Sequence, residues 1–342
     1  MGLGTTHIVG AGLAGQACAL MLAEAGYQPV LWGTPDAAPA RAIALSQPSV
    51  DCLTGLAVAV PDGGRIDHIH VSRHGAFGHT QLSASALGHA QFGRVVRNDE
   101  LAAALASAVA AAAIDCRPQS VERLDIGAGL VAAGQHHAGP VVLTAPVPGL
   151  LAQAGIGQQK RVLNDRLWVG VMRGRLDGHA YERFTDSGPL AVLPLGSERV
   201  SVVWQCAGAV TPARINAAMG RRVVLGAIEH QACVPAMAAW ADSLARPGLA
   251  VAGNASQLLH PVAGQGFNLI LRQLSVLAAL GFDNLEQWQQ HSDSARQPWL
   301  ATTLTLAQLF QPSWPAQGLA LASVAALPGV AGRFAERFME GS

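Results

Sequence analysis

Charged residues are scarce in this chain of 342 residues. Lysine, arginine, aspartate and glutamate together make up 13% of it, and the 22 basic residues are balanced by 22 acidic ones. The sequence contains no basic stripe, so nucleic acid is not expected as a partner. Half of the residues are hydrophobic, which predicts a large buried core.

Cysteine is also sparse, and no two cysteines form a C-x-x-C pair. This spacing argues against a disulfide framework and against a zinc or iron–sulfur site. We therefore expect no metal and a reducing compartment, the cytoplasm. The five cysteines of the chain are Cys18, Cys52, Cys116, Cys206 and Cys233.

No hydrophobic run is long enough to span a bilayer. The longest, LAAALASAVAAAAI at 101–114, is too short and too rich in alanine. It follows Asn98, Asp99 and Glu100, which favour a helix start, and we predict a buried helix. The first fifteen residues lack a basic leader and are not expected to be a signal peptide.

Residues 5–32 have the pattern of a strand, a glycine turn, a helix ending at Gly26 and a second strand. In such a unit the N–H groups of the turn and of the helix start face a phosphate. Gly10 permits the turn, Gly12 lets phosphate approach the backbone, and Gly15 lets helix and strand pack closely. The alternative is a glycine-rich turn in an ordinary α/β fold.

The remaining chain alternates between strand and helix patterns. His68 and His70 lie two apart on a predicted strand, hence on one face, but no carboxylate or cysteine completes a metal site. The predicted elements are a strand and turn at 62–80, strands at 119–145 with a turn at His136-His137, a hairpin at 188–205, a strand, loop and helix at 247–280, and a helical tail from Leu285 to Met339 broken near Pro312 and Pro315.

Two further segments carry more information than the glycine turn alone, RAIALS at 41–46 and HPVAGQGFNL at 260–269. Other characteristic segments are IDHIHVSRHGAFG at 66–78, RVVRNDELAAAL at 94–105, ERFTDSGPLAVLPL at 182–195, SVVW at 201–204, GNASQLLH at 253–260 and TLAQLF at 305–310. On these motifs the chain resembles the FAD-dependent aromatic hydroxylases, and within them the ubiquinone-biosynthesis hydroxylases of the UbiH type. The resemblance covers nearly the whole chain.

The resemblance implies a mixed α/β (α+β) fold. A Rossmann-like FAD-binding domain would contain an inserted β-sheet substrate domain and end in a C-terminal helical region. The implied bounds are 1–60, 96–160 and 246–342 for the FAD-binding domain with its C-terminal helices, 61–95 for the first substrate-domain strands, and 161–245 for the substrate-binding sheet.

The resemblance also implies which residues hold FAD. The glycine turn would bind the pyrophosphate, Arg41 would lie near the phosphates or flavin, and the late loop and helix start would lie beside the flavin ring. For Arg41 the alternative is a surface ion pair, and for the loop it is a plain glycine-rich connection before a core helix. The implied set is Gly10, Gly12, Leu13, Ala14, Gly15, Arg41, Asn254, Pro261, Gly264, Gln265, Gly266, Phe267 and Asn268, with His260 at the start of the loop.

Several positions depart from the family pattern. The acid expected to bind a ribose hydroxyl after the second strand is replaced by Trp32 or Gly33. An Asp-Gly motif after VVLTA reads Pro146-Val147, and a Gly-Asp motif reads Gly253-Asn254. The Gly and Asp expected inside the last helix are Ile270 and Gln273.

The implied function is an FAD-dependent monooxygenase that uses NAD(P)H and O2. Through a flavin C4a-hydroperoxide it would hydroxylate a prenylated phenol in ubiquinone biosynthesis, and no catalytic side chain is nominated because the cofactor supplies the reactivity. One alternative is a degraded relative with weak or no flavin binding, acting as a lipid-binding or assembly component of a biosynthetic complex. Another is an FAD oxidoreductase acting on an unrelated aromatic. Peripheral association with the inner membrane face also stays open.

Overall fold

The computed structural model describes residues 4–35, 41–74, 79–196, 198–259 and 266–309. Its helices are α1 Leu13–Glu24, α2 Gln47–Gly55, α3 Asn98–Ala111, α4 Pro148–Gln153, α5 Pro212–Met219, α6 Gly253–Ser256, α7 Gly266–Leu280 and α8 Leu285–Leu309. Its strands are β1 Thr5–Val9, β2 Gln28–Trp32, β3 Ala42–Ser46, β4 Gly64–Ile66, β5 His68–Arg73, β6 His79–Ser83, β7 Gly93–Arg97, β8 Asp115–Arg117, β9 Val121–Asp125, β10 Gly129–Ala132, β11 Gln135–Ala138, β12 Val141–Leu143, β13 Gln158–Arg173, β14 His179–Thr185, β15 Gly188–Pro194, β16 Arg199–Gln205, β17 Ile228–Ala241, β18 Ala245–Arg246, β19 Leu249–Val251 and β20 Gln257–Leu258.

A six-stranded sheet combines four strands from the first half of the chain with β18 and β19 from the second, in the order β18-β19-β12-β1-β2-β8. Its strands run parallel except for β18 at one edge. The predicted unit β1-α1-β2 is confirmed, and α1 packs against α3 and α7. Because the strands are parallel, β1, β2 and β12 end at the same edge of the sheet, which is where ligands bind in such folds.

An eight-stranded sheet forms a second layer, in the order β20-β17-β13-β16-β15-β14-β5-β6. It is antiparallel except where β5 and β14 run parallel, and the predicted hairpin is confirmed as β15 and β16. One face buries Trp168 and Trp204 beside Ile215 and Met219 of α5. The opposite face turns toward the six-stranded sheet and toward a small sheet of β3, β7 and β4.

A second small sheet, in the order β11-β10-β9, corrects one prediction. His136 and His137 lie within β11 and not in a turn. The turn lies earlier, at Ala133 and Gly134, which both have positive φ. Glycine provides that conformation at little steric cost, and the two histidines then continue the hairpin as an extended strand.

The alanine-rich helix is confirmed as α3, but only one of its faces is buried. Leu101, Leu105 and Val109 pack into the core, while most of its alanines are exposed or half-buried. Helical structure in the tail is confirmed as far as α8, and the breaks predicted at Pro312 and Pro315 lie outside the described residues. Among the described helices none combines the length and hydropathy of a membrane span.

Glu182 is an acidic residue in an apolar setting. Glu182 lies on β14, and the residues opposite it on the paired strands are Val71 of β5 and Ala191 of β15. Its Oε1 atom is buried with no hydrogen-bond partner among the described residues. Loss of solvent around the carboxyl raises the pKa of Glu182 to about 8. The folded protein therefore keeps a proton on Glu182 that the unfolded chain releases above its ordinary pKa of 4.5.

This difference predicts that Glu182 makes unfolding pH-dependent. Between pH 4.5 and about 8 the folded state binds the extra proton, so the free energy of unfolding falls as pH rises. Glu182→Gln keeps the neutral shape, and its Tm should exceed that of the wild type by roughly 2–6 °C at pH 8. In calorimetric scans, the difference in Tm between Glu182→Gln and the wild type should become smaller toward pH 5. Glu198→Gln, at an exposed position, is the control and should leave the pH profile unchanged; an equal gap for Glu182→Gln at both pH values would contradict the prediction.

Candidate functional site

The glycine turn after β1 is built on two close backbone contacts. A Cβ on Gly10, whose φ is +116°, would lie 2.7 Å from the Cβ of Ala145. A Cβ on Gly15 would overlap the carbonyl oxygen of Gly10. Gly12 differs, because its φ is −73° and a Cβ there would meet nothing within 4 Å. Gly10 and Gly15 are thus needed for the turn itself, whereas Gly12 leaves open space in front of the backbone.

This open space belongs to a cavity of about 1050 Å³. It lies between the edge of the parallel sheet, the start of α7 and one face of the eight-stranded sheet. Pro261, Gly264 and Gln265, together with His260, lie outside the described residues. The predicted site residues that line the cavity are Gly10, Gly12, Leu13, Ala14, Gly15, Arg41, Asn254, Gly266 and Phe267.

Arg41 brings a positive charge to the cavity. Its side chain has no hydrogen bond or ion pair among the described residues, so the surface ion-pair alternative finds no support there. Surrounding protein atoms lower the pKa of its guanidinium, although an arginine stays charged at neutral pH. The backbone carbonyl of Arg41 accepts a hydrogen bond of 2.8 Å from the N–H of Asn98. A cation that has no ion pair within the described part of the chain suits an anionic ligand in this cavity.

Asn268 is near the cavity but does not line it. Its Nδ2 donates to the carbonyl oxygen of Ala44 at 3.1 Å, and its Oδ1 accepts from the N–H of Ser46 at 3.0 Å. These two bonds join the first turn of α7 to β3, which directly follows Arg41. Asn268 therefore positions the strand that carries the cation.

Trp32 closes the cavity where an acid would be expected. Its indole N–H points inward and donates to Nδ1 of His7 at 3.3 Å, and burial lowers the pKa of His7. The ring of His137 lies 4.8 Å away, and the guanidinium of Arg117 lies 5.1 Å above the indole ring. The end of β2 thus presents an aromatic surface and no carboxylate.

Thr144 and Gln16 hold the glycine turn and were not identified from the sequence. The Thr144 hydroxyl lies 3.0 Å from the carbonyl of Val9 and 3.1 Å from that of Gly10. Gln16 donates to the carbonyl of Ala11 at 2.9 Å, while its Oε1 atom is buried and has no partner among the residues that the structure describes. The only signal in the sequence was the strand VVLTA, which places Thr144 at the end of β12.

Gln273 replaces the acid expected in the last helix, and it does not line the cavity. Its Oε1 accepts from Gln257 at 2.9 Å, and its carbonyl accepts from the indole N–H of Trp288 at 2.8 Å. This amide network connects α7 with β20 and α8. The residue is 1% exposed, so its contribution is structural.

The eight-stranded sheet provides the far wall of the cavity. This wall is mainly apolar, and its lining includes Leu167, Val169, Val171, Leu193 and Val203. A flat or ring-shaped organic molecule could pack between it and the glycine-rich edge. The cavity thus combines backbone N–H groups and a cation on one side with an apolar surface on the other.

Comparison with known proteins gives relatives at moderate to low identity. No family model matches this chain. It is 27% identical over 315 residues to 3-demethoxyubiquinol 3-hydroxylase of Escherichia coli strain K12, covering 79% of this chain and 77% of that protein. It is 32% identical over 117 residues to ubiquinone hydroxylase UbiL of Rhodospirillum rubrum, which covers 30% of this chain and 26% of that protein.

Solved structures share the fold over nearly the whole chain. The p-nitrophenol 4-monooxygenase of Pseudomonas putida superposes with a TM-score of 0.77 at 14% identity, covering 99% of both chains. Klebsiella pneumoniae HpxO, solved with FAD and uric acid, superposes with a TM-score of 0.75 at 14% identity and covers 98% of this chain and 96% of its own. The predicted mixed α/β architecture is therefore confirmed. In sequence the chain is therefore similar to hydroxylases of ubiquinone biosynthesis, and in fold it is similar to the p-nitrophenol 4-monooxygenase and to HpxO.

Proposed function

We propose that this chain binds FAD in the cavity and hydroxylates a prenylated phenol on the route to ubiquinone, using NAD(P)H and O2. One observation carries the proposal: the glycine turn, Arg41 and the start of α7 line a single cavity. The similarity to a demethoxyubiquinol hydroxylase over most of both chains supports the substrate class.

The residues present fit an extended dinucleotide. The open face of Gly12 and the free N–H groups of the first turn of α1 suit a pyrophosphate, and Arg41 suits its charge. Asn254 is exposed to the cavity, where an amide can bind a ribitol hydroxyl. On this proposal Gly266 and Phe267 lie beside the flavin, with Pro261, Gly264 and Gln265 in the preceding loop, and Asn268 holds β3 in place.

FAD, when bound, supplies the redox chemistry that activates oxygen with electrons from NAD(P)H. The protein's part is to bind, orient and exclude water. The apolar residues of the sheet wall keep water from the reacting ring, and the first turn of α7 directs its partial positive charge into the cavity.

The exposed edge of the eight-stranded sheet is suited to contact a prenyl tail. Val234, Pro235 and Met237 line the cavity on β17, whose first half forms the exposed edge of the sheet. Opposite Met237, Val162 is 68% exposed, which is unusual for a valine in a strand. A tail leaving over this edge would reach a membrane surface, so we propose a cytoplasmic protein with peripheral contact at the inner membrane face.

A flavin-free lipid-binding or assembly component is the second candidate. Trp32 favours it, because the indole removes the acceptor that a ribose hydroxyl normally finds. An FAD oxidoreductase acting on another aromatic is the third. For all three candidates we propose the same domain division, with 161–245 as the substrate-binding sheet inserted into the FAD-binding domain.

Titration with FAD distinguishes the first two candidates. The purified chain should show flavin absorbance or take up FAD, and a prenylated phenol should then stimulate NADPH oxidation and yield a hydroxylated product. No affinity at high micromolar FAD would remove the hydroxylase proposal and leave the lipid-binding component. Flavin binding without stimulation by prenylphenols would favour an unrelated aromatic substrate.

Gly12→Val should abolish FAD uptake while leaving the chain folded. The backbone at Gly12 is compatible with valine and the Cβ meets no protein atom, so the side chain would project toward the place proposed for the pyrophosphate. Flavin fluorescence titration and thermal melting measure the two effects. Gly55→Val, another open glycine outside the cavity, is the matched control and should bind FAD normally. Normal FAD affinity in Gly12→Val would contradict the assignment of the turn.

Arg41→Ala should weaken FAD binding by roughly 10- to 100-fold, the effect of losing one hydrogen bond to a charged group. The loss should shrink at high salt, because screening already reduces the attraction in the wild type. Arg65→Ala removes an exposed arginine paired with Asp67 and should change nothing. Equal FAD dissociation constants for Arg41→Ala and the wild type would show that this cation serves another role.

A further inference from the structure

His7 is a buried histidine on β1, the strand that leads into the glycine turn. It is 3% exposed, and both nitrogens of its ring make hydrogen bonds. Its Nε2 atom lies 3.2 Å from the carbonyl oxygen of Ala138 on β11. Its Nδ1 atom lies 3.3 Å from the indole nitrogen of Trp32, at the end of β2. The imidazole therefore connects the small sheet of β9, β10 and β11 with a strand that ends at the cavity.

These two contacts determine where the ring of His7 carries its proton. A carbonyl oxygen only accepts hydrogen bonds, and an indole N–H only donates them. Nε2 must therefore carry the proton, and Nδ1 must present its lone pair to Trp32. A second proton, on Nδ1, would place two N–H groups against each other. The observed geometry thus requires the neutral ring.

The surroundings of His7 favour the neutral ring. Loss of solvent on burial lowers the pKa of His7, and the nearby His137 and Arg117 lower it further. The hydrogen bond to Ala138 and the carboxylate of Asp115 act in the opposite direction without cancelling the effect of burial. Within the described chain these are the charged and titratable groups that β8 and β11 bring to the ring. The indole from β2 is uncharged, and β12 consists of apolar residues.

Trp32 carries the state of His7 to the cavity. The indole lines the cavity, and in the described part of the chain its N–H has no acceptor other than His7. The guanidinium of Arg117, 5.1 Å above the indole, and the ring of His137, 4.8 Å away, hold it through ring contacts. Such contacts are less directional than a hydrogen bond. The bond to His7 consequently determines which edge of the indole faces the cavity.

We propose that His7 is a positioning residue for dinucleotide binding: its neutral ring fixes the Trp32 indole, and its protonation releases the indole and weakens FAD binding. The inference rests on the proposed function, because it requires FAD in the cavity. Burial lowers the pKa of His7 from the ordinary value of 6.5, so the ring stays neutral in the folded protein at pH 6.5 and above. The contribution of His7 to FAD affinity is therefore complete above pH 6.5 and is lost as pH falls below that value.

Titration of the flavin-free protein with FAD, at about pH 7.5 and about pH 5.5, tests this dependence. For the wild type the dissociation constant should be roughly 3- to 10-fold higher at the lower pH, the effect of losing one buried hydrogen bond. His7→Asn places a neutral amide oxygen near the position of Nδ1, where it can accept from the indole at either pH. Its dissociation constant should therefore change by less than about 2-fold.

Trp32→Phe keeps an aromatic surface at the cavity but has no N–H that needs an acceptor. Its FAD affinity should be as insensitive to pH as that of His7→Asn. Tryptophan emission of the flavin-free protein gives a readout that does not depend on FAD. Release of the indole should shift the emission of the wild type to longer wavelength at the lower pH, and Trp32→Phe should lack this shift.

His291→Asn, at an exposed histidine of α8 outside the cavity, is the matched control and should keep the pH dependence of the wild type. If FAD binding weakens equally at the lower pH in the wild type, His7→Asn and Trp32→Phe, the inference is overturned while the proposed function stands. Should His7→Asn fail to fold, Trp32→Phe and the emission shift decide the same question. A wild type that binds no FAD at about pH 7.5 overturns the proposed function and this inference with it.

Discussion

The close approach of α1 to the end of β1 is the constraint on which the cavity depends. At this crossing a side chain on Gly15 has no room beside the carbonyl of Gly10, and Thr144 bonds that same carbonyl from β12. Three elements therefore meet at the carbonyl of Gly10. Gly253, with a φ of +59°, adds a fourth, because a Cβ there would lie 2.8 Å from the carbonyl of Thr144. The helix start is held in front of the sheet edge by packing that tolerates no larger residue.

Distant parts of the chain are joined at the cavity by few but specific contacts. Asn268 bonds both Ala44 and Ser46 across more than two hundred residues of sequence. A side-chain amide can pair with an N–H and a C=O of one strand at once, so it fixes the register of α7 against β3. Arg41 and the start of α7 consequently keep their relation to each other even though separate sheets support them.

Local patterns were sufficient to predict the elements around the cavity. The strand, turn and helix at 5–32 and the hairpin at 188–205 follow from hydrophobic periodicity and turn residues within short windows. The pairing of Val171 on β13 with Ser201 on β16 and His230 on β17 could not be predicted this way, since it depends on the register of strands that are not consecutive in the chain. His136 and His137 were placed in a turn because polar residues suggest one, whereas the glycine before them decided where the chain reverses. The inward hydrogen bond of Trp32 depends on His7, and nothing local indicates that pairing.

The orientation of the Trp32 indole affects which nucleotides the cavity can tell apart. An acidic residue at the end of a second strand repels a 2′-phosphate and so distinguishes one dinucleotide from another by charge. Here the only polar atom of the indole is turned toward His7, and the nearby Arg117 is positive. Among the described residues, the end of β2 thus has no acidic side chain to repel a phosphorylated ribose, and Arg117 would attract its charge. On the proposed function, this end of the cavity would accept a phosphorylated ribose more readily than a fold whose second strand ends in an acid.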